Sequence, residues 1–159
     1  MMKKIVMILA LTLATLAVQA QQYDHAVGLR FGGSVELLYQ HELSADNFAQ
    51  FTLAIPNYDG ISLTGIYNWR CMEWDWTPET CDWYLNAGFG AALGAYNFKD
   101  TGFLVGLAGS CAFGCQFKNA PISLELDYRP VVGVVAGGGD KGFFTPGLWN
   151  FGVSLKYHF

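Results

Sequence analysis

Ser154, His158 and Glu125 are the residues whose types would suit acyl hydrolysis: a hydroxyl nucleophile, an imidazole base and a carboxylate to orient it. Their spacing speaks against that chemistry. Ser154 and His158 share one face of an alternating segment, and four residues of strand span roughly 13 Å. Nucleophile and base need a hydrogen bond of ~3 Å. Gly88-Phe89-Gly90 with Gly94 has the look of a dinucleotide fingerprint, but the third glycine comes one residue late and no helix signal follows it. The three histidines, His25, His41 and His158, have no short metal-ligand spacing to one another. The chain is therefore read as a non-enzyme with no catalytic residue, no cofactor and no metal.

Residues 1–20 read as a secretory signal peptide. Lys3 and Lys4 form a positive n-region, Ile5 to Val18 an apolar h-region, and Val18-Gln19-Ala20 a small-residue cleavage site. The h-region falls short of the ~20 apolar residues of a spanning helix. Without these residues 139 remain, and loss of the two lysines takes the formal charge from −4 to −6. That is one domain's worth of chain, residues 21–159, and its acidic balance argues against nucleic acid as a partner. Composition adds a second constraint. The chain is 52% hydrophobic, 16% aromatic and 14% charged, against the ~25% charged of soluble domains. No run after residue 20 reaches the ~18 apolar residues of a helical span, so the apolar character must alternate along strands.

Eight segments carry that alternation: about His25 to Gly32, Val35 to Leu43, Phe48 to Pro56, Ile61 to Arg70, Trp83 to Tyr96, Gly102 to Phe117, Ile122 to Val131, and the closing run Leu148 to Phe159. The seventh sets Ile122, Leu124, Leu126 and Tyr128 against Ser123, Glu125, Asp127 and Arg129. In the last, Trp149, Phe151, Val153, Leu155, Tyr157 and Phe159 oppose Asn150, Gly152, Ser154, Lys156 and His158. Between segments lie turn signals such as Gly32-Gly33-Ser34, Ser44-Ala45-Asp46-Asn47 and Asn57-Tyr58-Asp59-Gly60. Three longer connections are expected: Cys71 to Cys81, Asn97 to Thr101, and a glycine-rich loop from Gly133 to Gly147, whose Phe143 and Phe144 are candidate loop contacts. The pattern predicts an all-β, eight-stranded antiparallel up-and-down transmembrane β-barrel.

With apolar faces outward, the inner faces collect Arg30, Glu36, Glu42, Arg70, Glu125, Asp127, Arg129 and Lys156, four acids and four bases. Unpaired buried charge costs several kcal/mol, so a balanced set predicts a salt-bridged interior. Eight strands leave a bore that side chains fill, and inward glycines such as Gly88, Gly90 and Gly94 make room in it. Four cysteines in an exported chain suggest oxidation, and Cys71 and Cys81, which bracket one connection, are the expected disulfide. Cys111 and Cys115 share one face of one strand, too far apart to bridge, and read as small lipid-facing residues.

The terminal run GVSLKYHF, with its last aromatic at Phe159 and another at Tyr157, resembles the closing strand of bacterial outer-membrane β-barrels. Together with the signal segment and the hairpin rhythm, the chain is similar to small outer-membrane barrels of the OmpX/OmpA-like kind. FKNAPISLELDYRP, from Phe117 to Pro130, and the ending look like those of Bacteroidetes-type bacteria. The resemblance implies a non-enzymatic, monomeric integral protein of the outer membrane, with a structural or surface-interaction role and its termini on the periplasmic side. Its partners would be outer-membrane lipid, the barrel-insertion machinery reading Tyr157 and Phe159, and an unidentified extracellular contact. Two other classes remain: a soluble exported barrel with inverted faces that binds an apolar ligand as lipocalins do, and an outer-membrane lipid-modifying enzyme working through Ser154.

Overall fold

The computed structural model describes residues 23–55, 60–98, 100–137, 140–144 and 146–159. The expected signal segment and the turn around Asn57 lie outside the described residues. The strands are β1 (His25–Phe31), β2 (Val35–Ser44), β3 (Asn47–Ile55), β4 (Gly60–Thr77), β5 (Cys81–Phe98), β6 (Asp100–Phe117), β7 (Ile122–Tyr128), β8 (Val131–Gly137), β9 (Asp140–Phe144) and β10 (Phe151–His158). All pairings are antiparallel. Neighbours in sequence pair from β1 to β7, and β10 closes the ring by pairing with both β7 and β1.

Ten strands make eight staves. β7 and β8 lie end to end along β6, and β9 and β10 continue each other on their far side. Pro130 explains the first break, since it has no N–H to give to a ladder. Its carbonyl still accepts from Gly109 N–H at 2.8 Å. A Cβ on Gly109 would stand 3.2 Å from the proline ring, so the glycine makes room for it. A single 3-10 turn, Pro146–Trp149, makes the second break. The molecule is a closed, all-β, eight-stranded antiparallel barrel.

The three expected connections are largely strand. The segment from Cys71 to Cys81 is strand except for a tight turn at residues 78–80, with Thr77 paired to Cys81. A β-bulge at Cys71, between the pairs Arg70 with Asn86 and Met72 with Leu85, shifts the phase by one residue. Met72 and Trp74 then fall on the outer face, where Trp74 meets Trp83. The stretch from Gly133 to Gly147 is largely the β8–β9 hairpin, so Phe143 stands on a strand, exposed, and Phe144 pairs with Gly133. Likewise Asn97 belongs to β5 and pairs with Thr101.

Residue type decides the faces. Leu29, Leu37, Phe51, Leu63, Phe89, Leu107, Leu126 and Leu155 are exposed on the outside, while Arg30, Gln40, Asn68, Ser123, Glu125, Asp127, Ser154 and Lys156 are buried inside. Aromatic clusters stand outside. Trp74, Trp76, Trp83 and Phe113 pack with ring centroids 5.4–6.2 Å apart near the rim that holds the termini. Tyr128 and Phe151 pack at a tilt, centroids 4.7 Å apart, toward the other rim. At the terminal rim, Lys118 of the β6–β7 turn reaches Asp82 at 2.9 Å and Asp75 at 3.3 Å, joining that turn to the β4–β5 hairpin.

Candidate functional site in the barrel lumen

The strand period places every second side chain of the eight staves in one narrow bore, and register decides which of them meet. Arg30 on β1 lies between Glu36 on β2, its cross-strand partner, and β10, where Ser154 is its partner. Its Nε donates to Asp127 Oδ1 at 2.7 Å, and its Nη1 to Glu36 Oε1 at 2.8 Å and Asn150 Oδ1 at 3.0 Å. Ser154 donates to Asp127 Oδ2 at 2.8 Å. From the segment between β7 and β8, Arg129 Nη1 donates to Thr52 Oγ1 at 2.8 Å and Glu36 Oε2 at 3.2 Å. Two guanidiniums and two carboxylates thus neutralise one another out of water, the condition under which buried charge is tolerated.

A second group lies nearer the terminal rim. Lys156 Nζ donates to Glu125 Oε1 at 2.7 Å and Gln40 Oε1 at 2.8 Å, and Tyr84 Oη donates to the same Glu125 oxygen at 2.8 Å. Gln40 Nε2 passes the chain on to Glu42, which pairs with Arg70 at 2.8 Å. Phe48, fully buried in the bore, lies 5.5 Å from Lys156 Nζ and 5.9 Å from Arg70 Cζ. All eight inward charges named from the sequence are therefore ion-paired within the two groups.

The bore is not polar throughout. Ile66, Ala92, Leu104, Ala108 and Val131 form a small apolar cluster on the inner faces of β4, β5, β6 and β8. A cleft of about 230 Å³ opens among Tyr23, Glu42, Ser44, Arg70, Gln116 and His158, and one of about 110 Å³ among Ser34, Glu36, Thr52, Ser62, Arg129 and Asn150. Glu42 Oε2 and Arg129 Nε, buried without a hydrogen-bond partner, belong to residues lining these clefts. Water entering from either rim can satisfy them.

The three residues first considered for hydrolysis do not assemble. Ser154 is engaged by Asp127, Glu125 by Lys156 and Tyr84, while His158 Nε2 meets Ser123 Oγ at 2.8 Å. The Ser123–His158 contact was missed in the sequence, because it depends on the β7–β10 register and not on spacing along one strand. Ser123 is wholly enclosed, so its hydroxyl serves the wall of the bore. Among the described residues no group of three or more His, Cys, Asp or Glu side chains is arranged around a cation.

A Cβ on Gly90 would run into the Gly65 carbonyl, and one on Gly88 into Asn68, so close strand approach requires both. Cys71 and Cys81 are both free. Cys71 sits at the bulge beside Asn86 and Leu85, four to five residues up the hairpin from Cys81, roughly 13 Å or more at strand rise. A disulfide spans Cα atoms at most about 7 Å apart, so the expected bridge does not form in this register. Cys81 instead packs against Thr77 Oγ1 at 3.1 Å. At the closing strand, Tyr157 is half-buried, and Phe159 is exposed, its N–H donating to the His25 carbonyl at 2.9 Å. Comparison of the chain with protein-family models, with curated proteins and with solved structures gave no match in any of the three.

Proposed function

We propose that the chain is a non-enzymatic integral protein of the bacterial outer membrane, a small OmpX/OmpA-like barrel in a structural or surface-interaction role. The observation that carries this reading is the sidedness of the wall: leucines, valines and aromatics outside, a paired charge network inside. A soluble barrel would expose that apolar wall to water, whereas lipid solvates it. Aromatic clusters toward both rims are what the two membrane interfaces favour. Strands β1 to β7 with β10 pair into a closed ring, as a hydrocarbon environment demands, and β9, paired with β8 alone, is the edge beyond that ring.

In this reading the termini face the periplasm, Tyr157 and Phe159 are read by the insertion machinery, and the protein is a monomer in outer-membrane lipid. The β8–β9 hairpin with Phe143 stands at the outer rim, available to an extracellular partner. The bore is filled, so its charges act on stability and not on permeation.

The soluble carrier of an apolar ligand draws on the cluster around Ile66 and Leu104. The cleft beside it, about 110 Å³ and rich in hydroxyls, is small against the 300–1,000 Å³ of ligand pockets. The test is fractionation of inner and outer membranes followed by gel migration before and after boiling. An outer-membrane band that runs faster unheated supports the proposal. A soluble periplasmic protein without the shift overturns it.

A further inference from the structure

His25 and His41 are directly opposed in the β1–β2 register, and Tyr39 follows on the same face two residues earlier. All three side chains stand on the outside of the barrel at the terminal rim. The two imidazoles bring Nδ1 to within 3.2 Å of Nδ1, and Tyr39 Oη lies 2.9 Å from the same His25 nitrogen. The rings are nearly parallel, 16° apart with centroids at 4.7 Å, and Phe159 backs His25 at 5.7 Å.

Three polar atoms therefore converge where hydrogen bonding is poorly served. A neutral imidazole offers one N–H and one lone pair. If His41 Nδ1–H donates to His25, the Tyr39 hydroxyl competes for the same lone pair. If His25 holds the proton, both neighbours must share it. Two protonated rings would set N–H against N–H. A cation takes lone pairs from both nitrogens and removes the conflict, each of the near-parallel rings turning about its Cβ–Cγ bond to aim its in-plane lone pair at the ion. Zinc-to-imidazole bonds of about 2.0–2.1 Å at a tetrahedral angle separate the two nitrogens by about 3.3–3.4 Å, close to the spacing present here. Imidazole nitrogens suit the late first-row divalent ions, zinc, nickel and copper.

We propose that His25 and His41 form a surface site for a late first-row divalent cation, with Tyr39 as a third donor or the orienting partner and water completing the sphere. The two strands hold the pair at chelating distance before any metal arrives. The site does not depend on the membrane reading, since the pair stands on the barrel in lipid or in water.

The test is nickel or zinc titration of the folded protein, carrying no affinity tag, followed by calorimetry. One ion per chain is expected. His25→Ala and His41→Gln should each weaken binding by more than the 10–100-fold that loss of an outer-shell partner costs. Tyr39→Phe should weaken it less, and Cys71→Ser should leave it unchanged. Far-ultraviolet dichroism checks that each variant is folded, and the glutamine variant keeps a polar rim should the alanine variant fail. Absence of binding overturns the site. So does binding that survives loss of either histidine, or that is lost with Cys71.

Discussion

Arg30 and Asp127, 97 positions apart, meet in the lumen through a single carboxylate oxygen, Oδ1, which lies 2.7 Å from both Nε and Nη2 of the guanidinium. The contact joins the first stave to the seventh across the closing strand, because Ser154 on β10 pairs with Arg30 on one side and with Glu125, two residues from Asp127, on the other. Closure of the barrel and pairing of its charges are thus one structural event. Neither residue has water to fall back on.

Removing one partner leaves the other charge buried. Asp127→Leu is expected to destabilise the barrel by about 3–5 kcal/mol, the range for one partner removed from a buried ion pair. Arg30→Met should cost a similar amount. The double variant, with no orphaned charge at this contact, should cost clearly less than the sum of the two. Urea unfolding of the three variants in micelles measures the coupling. Strict additivity would mean that the two side chains do not act as a pair.

Gly152 gives that guanidinium its space. A Cβ there would stand 2.6 Å from Arg30 Cζ and 2.8 Å from Nε and Nη2. Arg30 cannot retreat without giving up Asp127 and Glu36. Gly152→Ala should therefore cost about 1–3 kcal/mol, the scale of overpacking. Gly65→Ala, whose Cβ would meet the Phe51 ring at an ordinary 3.4 Å, should not. The same unfolding assay compares them.

Much of this arrangement could be read in the chain. Alternation assigned Arg30, Glu36, Asp127, Arg129 and Lys156 to the inside, because a strand's period leaves a charge on one face or the other. Which charge meets which could not be read, since Arg30 finds Asp127 only through register. Alternation also missed the bulge: Met72, Trp74 and Trp76 still alternate with Glu73 and Asp75, but one residue out of phase after Cys71. Pro78, with polar neighbours, made the whole segment look like a turn. Leu38, Phe48, Ile66 and Leu104 point inward against their hydropathy, which only the packed bore explains.

If Cys71 and Cys81 were bridged, Cys71→Ser would lose the 2–4 kcal/mol typical of a disulfide. With both thiols free and the bulge between them, the substitution should leave the unfolding midpoint unchanged, with or without reductant. A drop that appears only under oxidising conditions would reinstate the bridge.

Lys118, accepted first by Asp82 and then by Asp75, is held above the ordinary lysine range. A cation whose folded pKa is raised stabilises fully below its unfolded pKa and loses that contribution as pH rises through the folded value. Lys118→Gln should therefore be slightly less stable than the parent at neutral pH, and the gap should close in strong alkali. Screening by water and salt keeps it small. Stability measured against pH in low salt reports it.

The outer face offers the sharpest discrimination. Leu155 lies midway along the closing strand, half exposed, between Leu29 and Leu124 on its neighbouring staves. In a bilayer an arginine there would sit near the midplane and cost about 2–4 kcal/mol. On a soluble barrel the same exposed position would change stability by no more than about 0.5 kcal/mol. Leu155→Arg should therefore shift the folding equilibrium into phosphatidylcholine vesicles by the larger amount. Phe159→Arg, at the rim where a charge reaches the interface, should shift it much less. Equal, small effects at both positions would mean that the leucine wall faces water, and the polar bore would then need a different explanation.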